Sequence, residues 1–210
     1  MKPCLIIGAS PAAEAMLSET IRSEAYYVIC ADGGLDLAHR MNIVPDLVIG
    51  DFDSVTTPPE GDWKTIALPR EKDDTDLLAA VKEGFAAGCR EFRILGALGA
   101  RLDHAYGNLS VLLYIANHGG IGVLEDSQTK VRLVRAGDAP LVLQKQIGET
   151  VSVFPFGAAQ CTVTYQGLQY PLKHGILSID TPLGVSNVIC EATASINVEK
   201  GMAVVMIVKV

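Results

Sequence analysis

Over roughly the first 125 residues, short apolar runs alternate with stretches of helical period; beyond that point the apolar runs are separated only by turns. Residues 4–9, 26–31, 47–50, 63–68, 92–95 and 121–124 are strand-sized, and several are almost continuously hydrophobic, as strands buried on both faces of a parallel sheet are. Helical patterns fill the gaps. One covers 12–24, opened by Ser10 and Pro11, a polar cap followed by proline in the first turn. A second runs to Arg40, a third to about 87 with Asp74 or Thr75 as its cap, and a fourth spans 103–117. This alternation predicts a parallel, Rossmann-like α/β domain.

The runs 130–135, 141–143, 150–154, 161–165, 175–179, 194–198 and 203–208 carry no helical period, which predicts an antiparallel β-sandwich. The change falls between Asp126 and Lys130, giving an α/β domain over 1–126 and a β-rich domain over 127–210. No internal repeat interrupts either.

The polar residues cluster where the apolar runs of the first part end. After 47–50 comes Gly50-Asp51-Phe52-Asp53-Ser54; if the backbone stays extended there, Asp51 and Asp53 point to one side. Like charges so close repel, and a divalent cation shared with a phosphorylated substrate would relieve that repulsion, because hard cations bind carboxylate and phosphate oxygens together. Asp and Ser also favour turns and caps for local reasons, so the pair alone leaves both readings open. A second acidic group, Asp73-Asp74-Thr75-Asp76, opens the third helix, where the helix dipole by itself favours one acid. A third, Arg101-Leu102-Asp103-His104, opens the fourth; His104 and Asn108 are four apart and share a face. Acidic loops after successive strands match an α/β site built at strand C-terminal ends. Gly33 and Gly34, after Asp32, either let backbone amides approach a phosphate or form a tight turn.

Charge and cysteine usage narrow the partners. A net charge of −7 without a basic stripe disfavours nucleic acid. An anionic nucleotide would need a metal here, whereas a cationic small substrate would be attracted. The five cysteines are dispersed, without a Cys-x-x-Cys pair, which argues against zinc ribbons and disulfide scaffolds. No run approaches a membrane span and the N-terminus lacks a secretory pattern, so a cytoplasmic protein is expected.

Taken in order, Ala31-Asp32-Gly33-Gly34, Pro45-Asp46, Gly50 to Ser54, the acidic group at 73–76, and Gly99-Ala100-Arg101-Leu102-Asp103-His104 with Asn108-Leu109 resemble the motifs of the thiamine pyrophosphokinase family. Gly167-Leu168, Tyr170, Leu172 and Gly184-Val185-Ser186-Asn187 extend the resemblance into the second part. It implies Mg²⁺-dependent transfer of a pyrophosphoryl group from ATP to thiamine, giving thiamine diphosphate and AMP. By that resemblance Asp51, Asp53 and Asp76 hold the metal, supported by Asp73 and Thr75. Asp32, Gly33 and Gly34 lie along the nucleotide, and Arg101, Asp103, His104 and Asn108 line the junction of ATP and thiamine. Ser186 and Asn187 reach thiamine from the second subunit of a homodimer. The chain departs from many relatives in having Ala100 where they have a further glycine, and in lacking a late tryptophan over thiamine; Tyr165 and Tyr170 are the aromatic residues at hand.

Two other readings use fewer of these residues. Asp51-Phe52-Asp53 has the Asp-x-Asp form of metal-dependent sugar-nucleotide transferases, and a non-catalytic nucleotide- or cation-binding module would also use the acids. The run Gly8 to Ala13 lacks the spaced glycines of a dinucleotide fingerprint.

Overall fold

Strand β1 (Cys4–Ile7) is buried along its whole length at the centre of a parallel sheet. The computed structural model describes residues 2–10, 21–53, 55–56, 58, 61–99 and 101–209. These fall into two compact units, Met1–Ser127 and Gln128–Val210.

In the first unit the chain continues through β2 (Tyr27–Ala31), α1 (Gly34–Arg40), β3 (Leu47–Gly50), β4 (Lys64–Ala67), α2 (Asp76–Ala86), β5 (Glu91–Leu95), α3 (Leu102–Asn117) and β6 (Ile121–Glu125). The strands lie in the order β6-β5-β1-β2-β3-β4, every neighbouring pair parallel. Most of the helix expected over 12–24 lies outside the described residues; at its end Ser23–Ala25 form a single 3₁₀ turn. Thr75 rather than Asp74 caps α2, its hydroxyl accepting from Leu78 N–H at 3.2 Å. β1, β2 and β3 are apolar on both faces; Leu5, Ile7, Val28, Cys30 and Val48 share a core with Leu35 and Leu37 of α1. Each such side chain contributes about 1.5–3 kcal/mol on burial.

This strand order places the reversal of winding between β1 and β5, and open α/β sheets bind ligands at the carboxyl side of such a crevice. Gly8 and Gly96, just beyond these two strands, lie so close that a Cβ on Gly96 would sit 2.2 Å from the Gly8 carbonyl oxygen. Gly96 also has φ +68°, so a side chain there is excluded on both counts.

The second unit contains β7 (Thr129–Arg135), β8 (Leu141–Gln144), β9 (Thr150–Pro155), β10 (Gln160–Gln166), β11 (Gly175–Ser178), β12 (Asn187–Val188), β13 (Thr193–Lys200) and β14 (Met202–Val208). All seven expected runs are strands; the two-residue β12 is too short to leave a periodic signal. Strands β12-β9-β14-β7 pair antiparallel, as do β11-β10-β13-β8. The two sets share one apolar core, with Val134, Val151, Val153 and Val205 from the first and Leu143, Val163, Leu177 and Ile196 from the second. Among the described residues no helix is long and apolar enough to cross a membrane. All five cysteines are free thiols, and only Cys190 is exposed.

Candidate active site

The end of β3 builds the first part of the site. The strand stops at Gly50, so the extended geometry expected at Asp51 and Asp53 does not hold. Phe52 instead takes a left-handed conformation, φ +60°. That fold-back lets the Asp53 N–H donate to Asp51 Oδ1 at 3.2 Å and brings both carboxylates to one place by a turn. Phe52 is anchored by packing against the α1 core. Gly50 is required because the Asp32 backbone passes beside it: a Cβ there would lie 2.9 Å from Asp32 Cα. Asp32 itself has φ +48°, and its N–H bonds Ile49 O at 2.8 Å, coupling the ends of β2 and β3. The result is a group in which Asp32, Asp51 and Asp53 each present a carboxylate oxygen within 4.8 Å of the others.

Asp76 is not part of that group. Its Oδ1 accepts from Lys72 Nζ at 2.7 Å, and the same ammonium lies 3.8 Å from Asp51 Oδ2. Arg70 Nη2 approaches Asp53 Oδ2 at 3.6 Å, and Lys82 bonds Asp74. Hydrogen bonding from the Asp53 N–H, with the charges of Lys72 and Arg70, holds the Asp51 carboxyl below the usual range despite partial desolvation. Burial pulls the Lys72 ammonium down, but its bond to Asp76 and the charges of Asp76, Asp51 and Asp32 outweigh that and raise it. Sequence reading passed over Arg70 and Lys72, although two basic residues directly before an acidic run are a visible signal.

A cavity of about 460 Å³ opens where β1, β2 and β5 end. Gly8, Ala9 and Ser10 follow β1, Ala31 and Asp32 end β2, and Gly96, Ala97, Leu98 and Gly99 follow β5. Thr75, Asp76 and Leu77 from the start of α2, with Arg101, Asp103, His104 and Asn108 from the start of α3, complete the wall. The floor is braced by Gly8 N–H to Leu95 O at 2.8 Å and Ser10 N–H to Gly96 O at 2.9 Å, with the Ser10 hydroxyl donating to Leu98 O. The Arg101 side chain makes no cap bond at the start of α3, where the Asp103 carboxylate accepts from the His104 N–H, and the positive end of the helix faces the mouth of the cavity. Asp32 belongs both to this wall and to the group of three carboxylates, so cavity and acids form one site.

The remaining expected residues sort as follows. Arg101 grips Asp103 through Nε at 3.2 Å and Nη2 at 2.7 Å, with both side chains about two-thirds exposed. That guanidinium holds the Asp103 carboxyl down to about 2. Asn108 spends its Nδ2 on Ala97 O at 2.7 Å, fixing the turn after β5. His104 lines the cavity and is exposed, whereas exposed Asp73 is not among its lining residues. Gly33 and Gly34 do not line it either. Gly34 is buried, and a Cβ there would lie 1.9 Å from Ile7 O; Gly33 has an ordinary helical φ of −58°. Close packing of α1 on β1 thus accounts for Gly34, and the unusual backbone angle of this turn falls on Asp32.

In the second unit Ser186 is exposed with φ +58°, its N–H held by Ser152 Oγ at 3.0 Å. Asn187 is buried and its amide is committed: Oδ1 accepts from Tyr170 N–H at 3.0 Å and Val188 N–H at 2.9 Å, and Nδ2 donates to Tyr170 O at 2.8 Å. Tyr165 is 4% exposed in the core, which leaves Tyr170, at 62%, as the accessible tyrosine of the two.

Residues 18–123 match the model of the thiamin pyrophosphokinase catalytic domain, and residues 141–203 match that of the thiamin pyrophosphokinase vitamin B1 binding domain. The chain belongs to the thiamin pyrophosphokinase family. Thiamine pyrophosphokinase 1 of Oryza sativa subsp. japonica is 26% identical over 195 residues, spanning 80% of this chain and 74% of that protein. Thiamin pyrophosphokinase 1 of Caenorhabditis elegans is 26% identical over 195 residues, spanning 88% and 80%. The crystal structure of thiamine pyrophosphokinase from Bacillus subtilis superposes with a TM-score of 0.86 at 21% identity, covering all of both chains, so the fold is shared throughout. In this member of the thiamin pyrophosphokinase family the three acids and the cavity walls from β2, α2, β5 and α3 lie in the part matched by the catalytic-domain model, while Gly8, Ala9 and Ser10 after β1 precede it.

Proposed function

We propose that this chain transfers the pyrophosphoryl group of ATP to the primary hydroxyl of thiamine, giving thiamine diphosphate and AMP, with Mg²⁺ as the divalent cation. The observation that carries this reading is that Asp32 is shared between a cavity at the sheet's crevice and a group of three converging carboxylates. The donor set fits the cation: three carboxylates offer hard oxygens with room for water and phosphate oxygens, as Mg²⁺ prefers. Asp51, Asp53 and Asp32 would hold it, with Asp76 beside them. Once bound, the cation would neutralise phosphate charge and align the triphosphate.

The chain's own residues supply positioning and charge, which is most of what phosphoryl-type transfer asks of a protein. Arg101 and the positive end of α3 would offset negative charge developing on phosphate oxygens. Asp103, kept ionised by Arg101, is an orienting acceptor for the thiamine hydroxyl or its pyrimidine amine; so low a pKa makes it a poor proton acceptor at neutral pH. Asn108 and Thr75 hold the turn and the helix start that carry these groups. Residues 1–126 would form the ATP- and metal-binding catalytic domain and 127–210 the domain for thiamine and dimerisation, Ser186 of a second copy completing the thiamine end in a cytoplasmic homodimer. Asn187 serves that end by fixing the loop rather than by touching the vitamin. The thiazolium cation would favour an acidic site electrostatically.

A sugar-nucleotide transferase would employ Asp51 and Asp53 but leaves the Lys72–Asp76 and Arg101–Asp103 pairs without work, and family membership does not favour it. Incubation with ATP and Mg²⁺ should release AMP only when thiamine is added, in step with thiamine diphosphate. AMP release independent of thiamine, or none with it, would overturn the reading.

A further inference from the structure

Lys72 stands between the two halves of the site. Its ammonium contacts Asp76, which lines the cavity, and approaches Asp51, which belongs to the group of three carboxylates; its side chain is only 14% exposed. Among the described residues nearby, Lys82 pairs with Asp74 and Arg101 with Asp103, while the far more exposed Arg70 approaches Asp53 of the carboxylate group from the solvent side. Lys72 lies four residues ahead of Asp76, the first residue of α2, on a flexible four-carbon stem that can redirect a point charge over several ångströms.

We propose that Lys72 is a positioning residue, a tethered counter-cation that holds Asp51 and Asp76 together before substrates arrive and then turns its charge to the incoming phosphates. This rests on the reading above. Carboxylates gathered without a cation repel, and an ammonium between them relieves that repulsion while the site is empty of substrate. The same charge opposes a divalent cation at those carboxylates, and it favours a triphosphate, for which lysine is a suitable point-charge partner. The consequence is an opposition of signs: loss of the ammonium should strengthen metal binding in the absence of nucleotide and weaken nucleotide binding.

The test uses the full chain with Lys72→Met. Mn²⁺ binding without nucleotide, followed by electron paramagnetic resonance, should tighten roughly tenfold, the change expected for removing one charge about 5 Å from a dication in near-aqueous dielectric. The KM for ATP should rise roughly tenfold at saturating metal and thiamine, by loss of one charge-assisted contact. Lys72→Gln carries the same expectation if the methionine variant does not fold, and folding of either that recovers on adding Mn²⁺ is the same result. Weaker Mn²⁺ binding together with a higher KM, unchanged values for both, or misfolding that Mn²⁺ does not relieve would show a merely structural lysine and overturn the proposal. Failure of the unaltered protein to release AMP with thiamine would defeat the functional reading but leave the Mn²⁺ comparison standing.

Discussion

The N–H of Asp53 donates back to Oδ1 of Asp51 at 3.2 Å across a left-handed Phe52. Two carboxylates are thereby fixed side by side in a loop rather than spaced along a strand, and nearby Lys72 and Arg70 temper their repulsion.

Asp51→Asn should therefore separate chemistry from stability. The amide keeps an acceptor for the Asp53 N–H, so the melting temperature should fall only slightly, through loss of the attraction of Lys72 and Arg70 that helps hold the carboxyl below its usual range. Turnover should drop by at least about 100-fold, since an amide is a poor ligand for a hard cation. Steady-state AMP production and thermal denaturation measured on one preparation check this; near-normal turnover would remove Asp51 from the metal site.

Phe52 is the residue whose backbone makes the turn. Phe52→Leu keeps an apolar side chain for the α1 core, whereas Phe52→Val puts a β-branched residue where φ is +60°. Valine should cost roughly 1–3 kcal/mol more than leucine, and correspondingly more activity. Urea unfolding and AMP release by the two variants give the comparison, and equal behaviour would mean that the turn is not under backbone control.

Thr75 caps α2 with its hydroxyl and borders the cavity. Thr75→Ala should destabilise by about 1 kcal/mol, and Thr75→Ser should restore most of it. Urea midpoints measure this directly.

Ser186 and Asn187 are neighbours with different tasks. Ser186→Ala should raise the KM for thiamine with little change for ATP. Asn187→Ala should lower stability by roughly 2–4 kcal/mol, because it strands the backbone groups of Tyr170 and the Val188 N–H that the amide now satisfies. Denaturation curves beside substrate titrations distinguish them; a thiamine-selective defect in the Asn187 variant without loss of stability would reverse the assignment.

Glu199 gives the second unit an acid dependence. Its carboxyl accepts from the Thr164 hydroxyl, the larger effect, and pairs with His174 Nδ1 at 2.7 Å; both hold it below its usual range. A carboxyl depressed in the folded state stabilises fully above its unfolded value of about 4.3, and that contribution is lost as pH falls through the folded value. Glu199→Gln should therefore lower the melting temperature at neutral pH and flatten its decline below about pH 4. A melting profile identical to that of the unaltered protein would show that the pair contributes nothing.

Local chemistry made much of this protein readable from its sequence. Continuous apolar runs set β1, β2 and β3, turn-spaced runs set seven of the strands after Glu125, and the acids beyond Gly50 and ahead of Leu77 marked the loops that carry the site. These features were legible because periodicity, capping and turn preference act over a few residues. Tertiary structure decided which loops meet. The pairing of β1 with β5 joins segments almost ninety residues apart and creates the crevice, and β2 beside β3 carries Asp32 to Asp51 and Asp53. It also reserved Gly34 for a close approach to Ile7, committed Asn187 to its own loop and set Lys72 between Asp51 and Asp76. Such outcomes depend on strand order and on through-space charge, neither of which is written in the spacing of residues along the chain.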